Sequence, residues 1–111
     1  MGETERKEVK VSARFNEDIV NVYEYGEELF GAAAAKSFIS DIYSRIWSLD
    51  HAWRLHPECR HLPTNDKRYR NIILGKYLII YRIKHDRIFV LRILHSHSSI
   101  TKIRDSRKVN E

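Results

Sequence analysis

Basic and imidazole side chains interrupt the apolar residues of segment 75–99, and they are the side chains of this sequence best suited to chemistry. Arg82 and Arg92 each lie within a run of Ile, Leu, Val, Tyr and Phe. The second run ends on His95 and His97. An imidazole with a pKa near neutrality can take up and release a proton, and a guanidinium can stabilise charge on a phosphate. These four residues are the candidates for a catalytic set, should the chain cleave a phosphodiester.

Arg70 shares the setting of Arg82 and Arg92, because it also lies in the middle of an apolar run. One interpretation places the three arginines on the solvent side of a half-buried sheet. The other places them on an open face that binds nucleic acid or an acidic partner, since the guanidinium fork suits phosphate and carboxylate. The second interpretation predicts a binding set of Arg70, Arg82, Arg92 and His95.

The strand register decides which face Arg92 occupies. A two-residue turn at positions 85–86 places Arg92 opposite Ile79. A three-residue turn places it opposite Leu78, on the same face as Arg82, because a shift of one residue moves every side chain to the other face. The sequence leaves both registers open.

Residues 50–67 are rich in side chains that zinc accepts as ligands. They are His51, His56, Cys59 and His61. Their spacing matches no familiar zinc pattern, so the sequence predicts neither a metal site nor a cofactor. Cys59 has no convincing base and acid around it and is interpreted as a spectator thiol.

The composition is that of a soluble globular protein, with 42% hydrophobic and 32% charged residues. A chain of 111 residues suits a single domain. We expect the core at residues 9–103, a polar segment at residues 1–7 and a basic tail at residues 104–111. The 20 Lys and Arg exceed the 15 Asp and Glu, giving a net charge of +5 that favours polyanionic partners.

The sequence also predicts a cytoplasmic protein without a membrane span. Its single cysteine allows no disulfide within the chain, which suits a reducing compartment. The charged start lacks an apolar signal core, and no apolar run approaches the roughly 18 to 20 residues of a transmembrane helix.

The first half of the chain predicts a strand and two helices. Val9 and Val11 alternate with polar residues, as in a short strand. Ser12 or Asn16 can cap the next helix, and Glu17 and Asp18 suit the positive end of its dipole. The apolar stripe of this helix contains Phe15, Ile19, Val22, Tyr23, Leu29 and Phe30.

Gly31 then ends the first helix, and the alanine run from residue 32 begins the second. The apolar face of the second helix contains Ala35, Phe38, Ile39, Ile42, Ile46 and Leu49. Because the connection is so short, the two helices are predicted to form an antiparallel hairpin.

The second half predicts a surface loop, a meander of strands and a loose tail. Residues 50–67 show no period and contain turn formers. The predicted strands are Tyr69 to Leu74, Tyr77 to Ile83 and Arg87 to His95. Short breaks between them indicate antiparallel hairpins. The fold class is therefore α+β with the order β-α-α-β-β-β, in which the helical hairpin packs on one face of an antiparallel-rich sheet. The other face is expected to leave an apolar surface open.

These segments resemble the RelE/ParE superfamily of toxins from type II toxin-antitoxin modules, and the ParE (plasmid-stabilisation) branch in particular. The resemblance rests on the ordered combination of VKVSARFNEDIVNVYEYGEELFGAAAAKSFISDIYSRIWSL, HPECRHLP, YRNIILGKYLIIYRI and RIFVLRILH. It covers roughly residues 9–103. It implies a protein that is neutralised by an antitoxin encoded next to it. The apolar sheet face left open by the hairpin is then expected to bind the antitoxin, and to make the isolated chain aggregation-prone or a homodimer.

The superfamily contains two activities. Members of the ParE branch are understood to poison DNA gyrase, whereas members of the RelE branch cut mRNA on the ribosome. RelE-type members usually have an arginine after the tyrosine that opens the central strand, and an arginine and a tyrosine near the C-terminus. Here Leu78 follows Tyr77, and the later positions fall near His97 or Ser98 and near Ile103. The resemblance therefore favours gyrase inhibition, with an mRNA endoribonuclease, or a member that only binds its partner, as the alternatives.

Overall fold

Four strands and two long helices follow one another in the predicted order. The structure is a computed structural model that describes residues 6–111, so most of the predicted polar N-terminal segment lies outside the described residues. The elements are β1 (Glu8–Val11), α1 (Ala13–Phe30), α2 (Ala32–Trp47), α3 (Leu49–Ala52), β2 (Tyr69–Leu74), β3 (Tyr77–Ile83), β4 (Arg87–His95), α4 (Ile100–Arg104) and a 3-10 turn (Asp105–Lys108). The resulting α+β fold is the one that the sequence predicts.

Ser12 begins helix α1 and ties it to the sheet. Its hydroxyl accepts a hydrogen bond from the backbone N–H of Phe15 at 2.9 Å and donates one to the carbonyl of Leu91 at 2.6 Å. Its backbone N–H donates to the carbonyl of Val90 at 2.9 Å. The predicted cap is therefore also the joint between α1 and β4.

Gly31 separates the two helices, as predicted. Its φ of 91° lies in a region that side chains with a Cβ rarely adopt. Its N–H donates to the carbonyl of Glu27, and its own carbonyl accepts from Ala35. The change of direction at Gly31 lets α2 pack back against α1.

The sheet has the strand order β1-β4-β3-β2. Strands β2, β3 and β4 form the predicted antiparallel meander, and β1 pairs with β4 in parallel. The pairing of β1 stops at Val90. The outer edge of β4 beyond that residue is covered instead by the start of α1.

Neither predicted partner of Arg92 is correct, although Arg92 does lie on the same face of the sheet as Arg82. The turn at positions 85–86 has two residues, since Lys84 donates to the carbonyl of Arg87. A bulge then shifts the register, so that Tyr81 pairs with Val90 but Ile80 pairs with Arg92. A bulge of this kind adds one residue to one strand, which turn length alone does not reveal.

The first core lies between the helical hairpin and the sheet. It contains Phe15, Val22, Ile42, Ile46, Ile79, Tyr81 and Ile93, among others. The predicted stripe of α1 is wrong at its end, because Leu29 is 52% and Phe30 is 74% exposed. These side chains line a groove with Gly75 and Lys76 of the turn between β2 and β3, which leaves them exposed.

The second core lies on the opposite face, which the sequence analysis expected to be open. Cys59 and Leu62 from the loop, and Ile103 and Val109 from the C-terminal segment, pack there against side chains of β3 and β4. Two expectations are thus corrected: the loop is not wholly at the surface, and the tail is not loose. Single apolar residues separated by polar ones have no period, which is why the sequence did not reveal them.

Candidate functional site

Arg92 is buried in an ion pair and does not lie on a solvent-facing strand surface. Its guanidinium donates two hydrogen bonds to the carboxylate of Asp18 on α1, at 3.0 and 2.7 Å. The same carboxylate accepts the backbone N–H of Ile93 at 3.1 Å. Asp18 was predicted to interact with the helix dipole, but it is only 7% exposed and covers the free edge of β4. The solvent-side interpretation of Arg92 is wrong.

Arg82 holds the C-terminal segment against the sheet. Its guanidinium donates to the side chain of Glu111 at 2.7 Å and to the carbonyl of Arg107 at 2.9 Å. It also lies over the ring of Tyr69, with 5.2 Å between the guanidinium carbon and the ring centroid. Burial opposes ionisation of Glu111, but hydrogen bonds from Arg82 and Lys84 hold the pKa of this carboxyl below its usual range.

Arg70 holds the loop that connects the helices to β2. Its guanidinium donates to the carbonyls of Arg54, His56 and Lys67 at 3.2, 2.8 and 2.8 Å. The pKa of His56 is lowered by burial and by the nearby charges of Arg45 and Arg70. The three strand arginines thus bind the loop, the tail and α1. Arg92 pairs with Ile80, two residues before Arg82, so Arg82 and Arg92 share one face of the sheet, whereas Arg70 pairs with Tyr81 and lies on the other face.

His95 and His97 lie exposed at the end of β4, close to each other. Their ring centroids are 5.3 Å apart, and the ring of Tyr77 meets His95 edge-on at 5.8 Å. Nδ1 of His95 accepts the backbone N–H of His97 at 3.2 Å. Burial, followed by the neighbouring Tyr25, raises the pKa of Tyr77. The imidazoles are therefore accessible to solvent and to a partner.

A polar cavity of about 350 Å³ opens between α1, the end of β4 and the start of α4. Its lining includes Asp18, Arg92, His95, Tyr77 and Lys102. Two of the catalytic candidates, Arg92 and His95, thus share one cavity. Because Arg92 is already paired with Asp18, its charge is balanced before any ligand arrives.

The four catalytic candidates do not form one set. Arg82 pairs opposite Phe89, whereas Tyr77 at the other end of β3 pairs opposite His95. Phe89 and His95 are six positions apart along β4, which corresponds to about 20 Å. Proton transfer needs groups within hydrogen-bond reach of the same atom, so Arg82 cannot act together with His95.

An apolar groove of about 300 Å³ adjoins the polar cavity at the end of the helical hairpin. It is lined by Val22, Tyr25, Leu29, Phe30, Phe38 and Tyr77, among others, and Lys76 and His95 lie at its margin. Tyr25, Leu29 and Phe30 are each more than half exposed. The site therefore combines an apolar floor with basic and imidazole groups at one side.

The pairing of Asp18 with Arg92 and the apolar groove were not predicted from the sequence. Asp18 lies three residues after Phe15 and four before Val22, on the buried side of the helix. A carboxylate at such a position requires a buried partner, and this requirement pointed to a mid-strand arginine. The groove had no comparable signal, because exposed and buried apolar residues look alike in a sequence.

The loop histidines and Cys59 do not assemble into a metal site. Among residues 6–111, no group of three or more His, Cys, Asp or Glu is placed to hold a metal ion. Burial raises the pKa of the Cys59 thiol, so this side chain behaves as part of the second core. In the same part of the chain, no helix is long and apolar enough to cross a membrane.

The fold and the site together define a small α+β protein with an exposed apolar groove beside a polar cavity. A family model described as "ParE toxin of type II toxin-antitoxin system, parDE" matches residues 9–100. Since this match spans most of the sequence, the chain belongs to the ParE toxin family of type II toxin-antitoxin systems.

A solved structure supports the fold independently. It is described as "Chromosomal ParDE TA system from P. aeruginosa" and matches with a TM-score of 0.67. The match covers 82% of this chain and 97% of that chain, at 19% sequence identity. No curated protein sequence matches the chain significantly.

Proposed function

We propose that this ParE-family toxin inhibits DNA gyrase as a binding protein, by stabilising the complex in which gyrase has cleaved DNA. One observation carries the choice of binding over cleavage: the arginines of a hypothetical nuclease are held by internal partners. Arg92 is paired with Asp18, and Arg82 shares the carboxylate of Glu111 with Lys84. An ion-paired guanidinium gives little stabilisation to a transition state, which a nuclease would require.

A gyrase cleavage assay tests this proposal. Purified toxin is mixed with gyrase, ATP and supercoiled plasmid, and the linear DNA is counted after the cleavage complexes are trapped. We expect linear DNA to increase with the toxin dose and to disappear when antitoxin is added. If gyrase is unaffected at every dose, gyrase inhibition is refuted.

The alternative function is ribosome-dependent cleavage of mRNA, and it is favoured by the exposure of His95 and His97 beside the polar cavity. The variants His95→Ala and His97→Ala separate the two functions. A nuclease that uses an imidazole for proton transfer loses roughly a hundredfold or more in rate. A gyrase poison keeps its effect unless the same side chain contacts gyrase, in which case binding weakens without loss of a chemical step. A family member that only binds its partner is inactive in both assays.

The apolar groove is the proposed site for the antitoxin. Its exposed apolar side chains suit an amphipathic segment laid into the groove, with an acidic residue of that segment placed against Lys76 and His95. The variant Phe30→Asp places a carboxylate on the floor and is expected to weaken antitoxin binding at least about a hundredfold, the range of an interface hot spot. Leu55→Asp is the matched control, since Leu55 is 80% exposed and does not line the groove. Equal affinity for both variants, measured by calorimetry, would place the antitoxin elsewhere.

A further inference from the structure

The charge of the chain is strongly divided between its two halves. Residues 1–50 hold 6 Lys or Arg and 10 Asp or Glu, a net charge of −4. Residues 51–111 hold 14 Lys or Arg and 5 Asp or Glu, a net charge of +9. The helical hairpin belongs to the acidic half, and the loop, the meander and the tail belong to the basic half. The overall charge of +5 therefore understates how basic residues 51–111 are.

A groove whose charged lining residues are both arginines lies within this basic half of the chain. It has a volume of about 300 Å³ and runs between the loop and the C-terminal segment. Arg104 and Arg107 line it from the C-terminal segment, and His61 and Thr64 line it from the loop. The two arginines are three residues apart, one at the end of α4 and the other in the 3-10 turn. Of the described residues, no Asp or Glu lines this groove. The polar cavity differs, because Glu17 and Asp18 are part of its lining.

The guanidiniums in this groove have no internal partner. Within residues 6–111, the side chains of Arg104 and Arg107 form neither an ion pair nor a hydrogen bond, whereas their neighbour Lys108 pairs with Asp105 at 3.5 Å. Both arginines are exposed. Two guanidinium groups without an ion-pair partner thus line a groove that no carboxylate lines. Such a groove suits an anion with several acceptor oxygens.

We propose that the groove formed by Arg104, Arg107 and His61 binds the phosphodiester backbone of DNA. The groove lies on the face of the second core, opposite the helical hairpin, so DNA bound here leaves the apolar groove free for a protein. The toxin would then contact DNA and protein at the same time. This inference rests on the proposed function, because inhibition of gyrase is what would bring the toxin to DNA that gyrase has cut.

Direct binding to a fluorescent DNA duplex of mixed sequence tests the proposal without gyrase. The full chain, separated from its antitoxin, is titrated by anisotropy at several salt concentrations. The double variant Arg104→Ala/Arg107→Ala is expected to bind at least about tenfold more weakly, and the slope of log K against log salt is expected to fall by about two. The charge-matched control Lys36→Ala/Arg45→Ala removes two exposed basic residues of α2 and is expected to change affinity by less than about threefold.

Three results would overturn the proposal. Equal losses in the two double variants would mean that net charge, and not the groove, binds DNA. Displacement of the duplex by polyglutamate at equal charge would indicate an acidic protein as the ligand. Tighter binding of single-stranded RNA through the same two arginines would replace DNA with RNA.

The gyrase assay, combined with the DNA-binding assay, distinguishes a failure of this proposal from a failure of the proposed function. If the wild-type chain leaves gyrase unaffected but binds DNA through the two arginines, gyrase inhibition fails and the groove stands. If the wild-type chain traps gyrase while the double variant binds DNA as the wild type does, the groove fails and gyrase inhibition stands.

Discussion

Asp18 is the residue that holds Arg92 in place at the polar cavity. It accepts both hydrogen bonds of the Arg92 guanidinium and the N–H of Ile93. Removing it leaves a buried cation without a partner, so Asp18→Ala is expected to reduce the free energy of unfolding by about 3 to 5 kcal/mol. Urea denaturation of the variant measures this loss.

Glu17→Ala is the control for Asp18→Ala. Glu17 is next to Asp18 but exposed, and its pair with Arg14 spans 3.7 Å, so its removal is expected to change stability by less than about 0.5 kcal/mol. The double variant Asp18→Leu/Arg92→Met should regain much of the loss, because it leaves no buried charge. If Asp18→Ala costs no more than Glu17→Ala, the pair does not hold α1 to β4.

Glu111 gives the contact between the tail and the sheet a dependence on pH. Because the folded protein holds the pKa of this carboxyl below the unfolded value of 4.5, its contribution is present above about pH 4.5 and is lost as pH falls through the lower, folded pKa. For a pair with this much solvent access we expect about 0.5 to 1 kcal/mol. Glu111→Gln should therefore be less stable than the wild type at neutral pH and equally stable in acid. A difference that persists in acid would contradict the role of the charge.

At the scale of elements, the C-terminal segment decides whether the second face of the sheet is covered. Ile103 of α4 is 5% exposed in the second core, whereas Ile100 of the same helix is 48% exposed. Ile103→Ala is expected to cost about 2 to 4 kcal/mol through the lost burial and the cavity left behind. Ile100→Ala, the control, is expected to cost less than about 1 kcal/mol. Similar losses in denaturant unfolding would mean that α4 is not docked.

The elements that the sequence predicts well are those with a strong period. The stripe of α1 and the alternating strands indicate their own positions, and Gly31 marks the turn between the helices. The coverage of the second face was not predictable, since Cys59, Leu62 and Ile103 are isolated apolar residues whose contacts lie far away in the sequence. The position of Arg92 required the bulge, which depends on how β4 packs rather than on any local residue.

At the scale of the whole molecule, two unlike surfaces lie on opposite sides of the sheet. The hairpin side carries the exposed apolar groove, and the other side carries the basic groove of Arg104 and Arg107. A binding protein with this arrangement can hold two different partners without competition between them. The internal partners of Arg70, Arg82 and Arg92 fix the loop, the tail and α1 that frame the two grooves. Direct binding of a partner by these arginines, as the sequence predicts, would require these segments to move.

The exposed apolar groove also predicts how the isolated chain assembles. Without an antitoxin, Leu29, Phe30 and Tyr25 stay in water, and a second copy is the nearest apolar surface available. A stable interface buries about 1,200 to 2,000 Å², and a few side chains provide less. We therefore expect weak, concentration-dependent dimers in sedimentation, which antitoxin dissociates. Phe30→Asp should shift the chain to monomer and the matched Leu55→Asp should not. Dimers that persist in Phe30→Asp would mean that the copies meet through another surface, because an unpaired carboxylate on the groove floor cannot be buried at so small an interface.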